Sequence, residues 1–137
     1  MDDAGLRERA LEMVKRAYAP YSRFQVGAAV LAESGRIYGG ANVENASFGA
    51  TVCAERNAVF AAVLAGERRL RAVAVCGGRD GVVTDFCPPC GICRQVLREF
   101  CDPKTFRVLL VKSATEVREL SLERLLPESF GSESLEA

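Results

Sequence analysis

The sequence predicts an α/β domain of three layers, α/β/α, built on a central mixed five-stranded sheet. Stretches with helical periodicity alternate with short apolar, β-rich runs in the order α-β-β-α-β-α-β-β-α. Within that order a strand, a helix and a second strand follow one another between residues 71 and 112, which implies a parallel βαβ unit with a right-handed crossover. The chain of 137 residues, 49% hydrophobic and 26% charged, has material for one core, so residues 1–137 form a single domain.

Residues 4–18 place Leu6, Ala10, Met13, Val14 and Ala17 on one helical stripe with charges between them, and Pro20 stops the helix. Residues 24–32 and 37–43 read as an antiparallel hairpin around the turn cluster Glu33-Ser34-Gly35-Arg36. The pair Gly39-Gly40 marks a bulge or a close backbone approach. Residues 54–66 are Ala-rich and apolar nearly all round, as in a helix buried on several sides, with Gly66 placed to end it. A strand at 71–77, a loop at 78–89, a helix at 91–101 and a strand at 106–112 follow. Residues 116–120 form an edge strand, and 121–127 a short helix capped by Ser121 and stopped at Pro127. The small, polar tail at 131–137 is expected to be mobile.

Eighteen basic residues balance 18 acidic ones, which argues against a nucleic-acid polymer as partner, since that affinity rests on clustered Lys and Arg. The chain has no histidine, so Ser-His-Asp and Cys-His catalysis are excluded and any metal must be held by thiolates or carboxylates. It has six cysteines: Cys53, Cys76, Cys87, Cys90, Cys93 and Cys101. The first residues lack an apolar signal segment, and no apolar run reaches the roughly 18 residues of a membrane span. The expectation is a cytoplasmic protein with reduced thiols and no membrane partner.

Two motifs carry chemistry. Cys53-Ala54-Glu55-Arg56 opens one helix and Pro89-Cys90-Gly91-Ile92-Cys93 opens another. A helix N-terminus favours a thiolate, and the thiolate is the form that binds zinc. Three Cys ligands leave the fourth tetrahedral position of Zn²⁺ to water, the mark of a catalytic site. Glu55, two residues from Cys53, is placed to face that position and carry protons. Arg56 is placed to offset the surplus negative charge of three thiolates from behind the ligands. Gln95, on the second helix, stands either behind the metal or at an interface. Cys87-x-x-Cys90-x-x-Cys93 with Cys101 also suggests a closed zinc or iron–sulfur site, but Cys101 comes too late for the bacterial cluster spacing. Cys76 and Cys101 read as small buried hydrophobes, and Cys87 as an unliganded loop thiol. Taken alone, Asn42 and Glu44 are turn residues, while Phe24, Phe48 and Phe130 are core or interface aromatics.

The stretches PYSRFQVGAAV (20–30), GANVENASFG (40–49), TVCAERNAVF (51–60), PCGICRQVL (89–97) and LLPESF (125–130) together resemble the small homotetrameric zinc-dependent cytidine deaminase family. The resemblance implies one Zn²⁺ per subunit on Cys53, Cys90 and Cys93, with Glu55 as proton shuttle. It implies attack of hydroxide on C4 of cytosine, protonation of N3 by Glu55 and release of ammonia. Cytidine and 2′-deoxycytidine would become uridine and 2′-deoxyuridine, a step of pyrimidine salvage. It further implies that Asn42 and Glu44 hold the ribose hydroxyls, that Phe24 packs on the base and that main-chain groups near Ala54 read the ring edge. Phe48 and Phe130 would serve a neighbouring subunit's pocket in a homotetramer. The chain departs from many relatives at Phe48, where they carry Tyr, and at Pro88, where they carry Ser. The rival readings are a deaminase of another cytosine nucleoside such as blasticidin S, and a structural zinc-binding module.

Overall fold

The computed structural model describes residues 3–136. Helix α1 spans Asp3–Val14, strands β1 and β2 Phe24–Ala32 and Ile37–Ala41, helix α2 Ala54–Leu64, and strand β3 Leu70–Arg79. Helix α3 spans Gly91–Glu99, β4 Arg107–Val111, β5 Val117–Ser121 and α4 Leu122–Leu125, with 3-10 turns at Phe48–Ala50 and Ser132–Leu135. The strands lie in the order β2-β1-β3-β4-β5, with β3 and β4 parallel and the other neighbours antiparallel. The mixed five-stranded sheet with helices on both faces is the predicted fold class.

The strands that cross the middle of the sheet are buried on both faces, and their alternation sorts the core into two layers. Ala28, Val30, Val73, Val75, Val108 and Leu110 face α2 and α3, packing with Ala58, Val59, Ala62 and Leu97. Ala29, Leu31, Ala72, Ala74, Leu109 and Val111 face the other way, onto Leu6, Ala10 and Val14 of α1. Two glycines let the helices come this close. A Cβ on Gly40 would stand 2.4 Å from the Ala58 nitrogen and 2.6 Å from the Ala54 carbonyl oxygen of α2. One on Gly27 would stand 2.2 Å from the Ala10 carbonyl oxygen of α1. Of the two roles open to Gly39-Gly40, close approach is the observed one: the β1–β2 register runs unbroken from Gly27↔Ala41 to Leu31↔Ile37.

Several boundaries differ from the sequence expectation. Helix α1 ends at Val14 rather than at residue 18, because Tyr18 has left the helical path to bridge Val43, donating its N–H to Asn42 O and accepting from Glu44 N. Met13 and Ala17 are consequently only half-buried. Strand β3 continues to Arg79, beyond the expected end at 77, because Arg79 still pairs with Phe24 of β1. Helix α3 stops at Glu99, short of Cys101. Ser121 caps α4 as expected, its Oγ accepting from Arg124 N at 3.1 Å.

The tail expected to be mobile holds a 3-10 turn tied to α3, with residue 137 outside the described residues. Arg98 donates to Ser129 Oγ at 2.8 Å and pairs with Glu133, so a composition that reads as loose is held by one largely buried guanidinium. Among the described residues no helix is long and apolar enough to cross a membrane.

Candidate active site

Cys53 and Cys90 occupy the N-cap positions of α2 and α3, and neither sulfur caps its own helix. Both sulfurs are thereby aimed into the space between the two helix starts. Cys93 lies one turn inside α3 and is buried. The Sγ atoms of Cys53, Cys90 and Cys93 all lie within 4.8 Å of one another, and those of Cys53 and Cys90 are 3.8 Å apart. Tetrahedral zinc with Zn–S bonds of about 2.3 Å requires sulfurs about 3.8 Å apart, so the donor set fits Zn²⁺ in both chemistry and spacing. Cys76 and Cys101 sit in the two core layers, where burial pushes each thiol up to about 12. Cys87 stays outside the sulfur cluster; burial pushes its thiol up to about 11 and keeps it protonated.

The cluster favours one thiolate before any metal arrives. Cys53 is drawn down to about 5 by a hydrogen bond from Cys93, with further help from Arg56 and Cys90. Cys93 moves upward in return, chiefly because its proton is engaged by Cys53 and because it is buried. Arg56 Nη2 donates to Cys53 Sγ at 3.5 Å, while Arg56 Nε is buried with no hydrogen-bond partner among the described residues. Glu55 is only 4% exposed. Burial raises its carboxyl to about 7, and the neighbouring Cys53 thiolate adds to the effect. A carboxyl so poised both takes up and gives up a proton near neutral pH.

A cleft of about 360 Å³ opens over this cluster. Phe24, Asn42, Glu44, Ala54, Glu55, Cys53 and Cys90 line it together, joined by Ser22, Val26, Thr51, Cys87 and Pro88. Asn42 uses its amide to fix the start of β1: Oδ1 accepts from Val26 N and Nδ2 donates to Phe24 O, both at 2.9 Å. One N–H and one lone pair remain for a ligand. Glu44 accepts from Tyr21 N at 2.9 Å, Ser22 N at 3.1 Å and the Ser22 hydroxyl. The Ser22 bonds above all hold its carboxyl below the usual carboxylate range, so it is a fixed negative charge at the mouth of the cleft. Phe48 is 74% exposed and meets Tyr21 edge-to-face, with ring centroids 5.8 Å apart. These rings line an adjoining recess that shares Ser22, Glu44 and Thr51 with the cleft.

Gln95 is not brought to the metal cluster. It is exposed on α3 and its Nε2 donates to Phe130 O at 2.9 Å, because the C-terminal segment packs across that side of the helix. Phe130 is exposed and does not line the cleft of its own chain. Sequence reasoning missed Arg94, whose Nε donates to Pro89 O and Nη1 to Leu125 O, each at 2.7 Å. It thus locks the backbone just before Cys90; its place one turn after that N-cap was the available signal. Asn57 was also missed. Its Nδ2 donates to Ala41 O at 2.8 Å and ties α2 to the end of β2.

Sheet order, paired helix starts and a buried Glu between sulfur ligands define a zinc-dependent deaminase class of protein. Residues 1–109 match the cytidine and deoxycytidylate deaminase zinc-binding region, and the chain belongs to this family. It is 44% identical over 135 residues to the cytidine deaminase of Halalkalibacterium halodurans, covering 98% of each chain. It is 43% identical over 130 residues to that of Mycobacterium tuberculosis, covering 95% of this chain and 90% of the relative. The crystal structure of cytidine deaminase from Burkholderia pseudomallei superposes with a TM-score of 0.84 at 43% identity, covering 95% of this chain and all of that one. Zinc is the metal of this family's matched region and the cofactor that the sulfur cluster fits.

Proposed function

We propose that the protein hydrolyses cytidine and 2′-deoxycytidine to uridine and 2′-deoxyuridine with release of ammonia. The observation that carries this reading is the buried Glu55 beside the Cys53, Cys90 and Cys93 sulfurs at the floor of a cleft. Zinc on those three cysteines supplies a Lewis acid that brings the pKa of water toward about 7. Glu55 takes one proton from the water and delivers it to N3 as the oxygen adds at C4, then takes the remaining proton of the added hydroxyl and passes it to the amine, so that the C4–N bond breaks, C4 becomes a carbonyl and ammonia leaves. Arg56 offsets the negative charge of the thiolates. Phe24 packs on the base, main-chain groups near Ala54 read the ring edge, and Asn42 and Glu44 bind the sugar hydroxyls. Among the described residues the cleft lining includes Glu44 and Glu55 and no Lys or Arg, which favours an uncharged nucleoside over a nucleotide or a polynucleotide.

A homotetramer working in the cytoplasm, in pyrimidine salvage, belongs to the same reading. Its support is the exposed apolar surface at Phe48, Leu64 and Phe130, together with a metal set that requires reduced thiols. In that assembly Phe48 and Phe130 reach a neighbouring subunit's pocket.

The decisive variant is Glu55→Gln. It should keep one zinc per chain and the native fold while losing nearly all ammonia release from cytidine. Full turnover would dismiss the shuttle role, and loss of zinc would make Glu55 a ligand instead. Cytidine, 2′-deoxycytidine, dCMP, blasticidin S and a single-stranded oligonucleotide, assayed side by side, define the substrate. Light scattering across a dilution series, read beside activity, tests whether the tetramer is the active form.

A further inference from the structure

Arg23 and Asp80 both adopt left-handed backbone conformations, with φ of 60° and 55°. Such an angle is unfavourable for Arg23, which needs surrounding bonds to hold it, and is better tolerated by Asp80. Here the two residues hold each other. Asp80 N donates to Arg23 O at 2.7 Å, and Arg23 Nε donates to Asp80 Oδ1 at 2.9 Å. One bond is main chain and the other side chain, and together they fasten the turn after β3 to the segment that precedes β1.

That segment reaches the cleft within two residues. Tyr21 N and Ser22 N both donate to the Glu44 carboxylate, Ser22 Oγ accepts from Phe24 N at 3.0 Å, and Phe24 begins β1. Ser22, Phe24 and Glu44 line the cleft, whereas Arg23 and Asp80 do not. The two residues lie instead on a separate shallow recess with Ala19, Pro20 and Gln25. An ion pair as exposed as this one stabilises a fold little, which leaves the placement of the segment as its principal effect.

We propose that Arg23 and Asp80 are positioning residues for substrate binding: their paired bonds set the Tyr21–Phe24 segment, and through it the Glu44 carboxylate and the Phe24 ring. This rests on the cleft being the nucleoside site. The clasp acts on binding of sugar and base and leaves the proton transfers of Glu55 untouched.

The test uses the zinc-loaded, full-length protein. Asp80→Gly and Arg23→Gly both tolerate the left-handed backbone and delete the side-chain bond; Asp80→Asn keeps an oxygen that accepts from Arg23 Nε. The glycine variants should raise KM for cytidine about threefold with kcat unchanged within error, and Asp80→Asn should restore KM. Amide exchange at Tyr21 and Ser22 should accelerate in the glycine variants and stay slow in Asp80→Asn. Unchanged KM and unchanged exchange in both glycine variants, beside an active parent, overturn the clasp and leave the deaminase reading standing. A parent inactive on cytidine overturns that reading, and the exchange rates alone then decide whether the clasp holds the segment. A kcat and melting temperature that fall together at constant KM would mark a merely structural pair and also overturn the proposal.

Discussion

Arg56 turns its guanidinium back on the sulfur of Cys53, Nη2 to Sγ 3.5 Å, one helical turn along α2. The contact favours the Cys53 thiolate, and in the proposed site it would offset the surplus negative charge of three thiolate ligands. Arg56→Ala should therefore weaken zinc retention and lower turnover, each by about tenfold. Competition with a chromogenic chelator, followed by single-turnover deamination of zinc-saturated protein, reads the two effects separately.

Glu55 links stability to pH in the metal-free protein. Its carboxyl is raised from 4.5 to about 7 on folding, so the unfolded chain releases this proton first and the folded state is penalised as pH rises through that window. Metal-free Glu55→Gln, which cannot ionise there, should be more stable than the parent by about 3 kcal/mol at pH 8 and indistinguishable from it at pH 4. Urea unfolding of chelator-treated protein at the two pH values checks both the size and the sign.

Gly27 and Gly40 make a matched pair. An added methyl at Gly40 runs into the backbone of α2, which carries Glu55, while one at Gly27 runs into α1, on the far face of the sheet. Each alanine variant should cost about 3 kcal/mol of stability. Only Gly40→Ala should also lower the specific activity of the fraction that remains folded. Denaturation curves and active-site titration with zinc separate the outcomes.

Asp3 tethers α1 to the sheet through Arg107, at 2.9 and 3.0 Å, and Arg107 also meets Glu119 of β5. The Arg107 hydrogen bonds hold the Asp3 carboxyl below its ordinary 3.8. The stabilisation is complete above that value and disappears as pH falls through the lowered one. Asp3→Asn should therefore cost about 1 kcal/mol at pH 7 and progressively less as the pH is taken below the ordinary carboxylate range, as measured by thermal unfolding.

The sequence carried the site further than it carried the loops. Periodicity, apolar runs and capping residues located the four α-helices and five strands among the described residues but not the two 3-10 turns, and thiols at two helix starts foretold the sulfur cluster because N-cap geometry aims such side chains locally. Gly39-Gly40 was legible as a bulge or a close approach because the absence of a side chain is itself a steric signal, and only the packing of α2 on Gly40 decides between them. What could not be read is long-range polar bonding. Asn42 and Glu44 hold backbone groups of β1 and of the segment before it, and Arg94 bridges Pro89 to Leu125, pairings set by tertiary proximity rather than spacing. The hydrogen bond of Gln95 is illegible for the same reason: its position on α3 says nothing of the C-terminal segment that takes that bond. The left-handed angle of Arg23 carries no sequence signature, whereas Asp80, followed by Gly81, is of a type that visits this region and marks a turn.

Cys53 and Cys90 stand 37 positions apart, on opposite sides of the step from β3 to the crossover helix. An ion bridging them works as a rivet between the chain's leading and trailing halves. Because the three sulfurs come together only in the folded chain, the ion binds that state preferentially and adds its binding free energy to stability. Loss of the ion should therefore be felt as mechanical loosening of the whole domain, with melting temperature following metal occupancy even in a variant that has no activity left to lose.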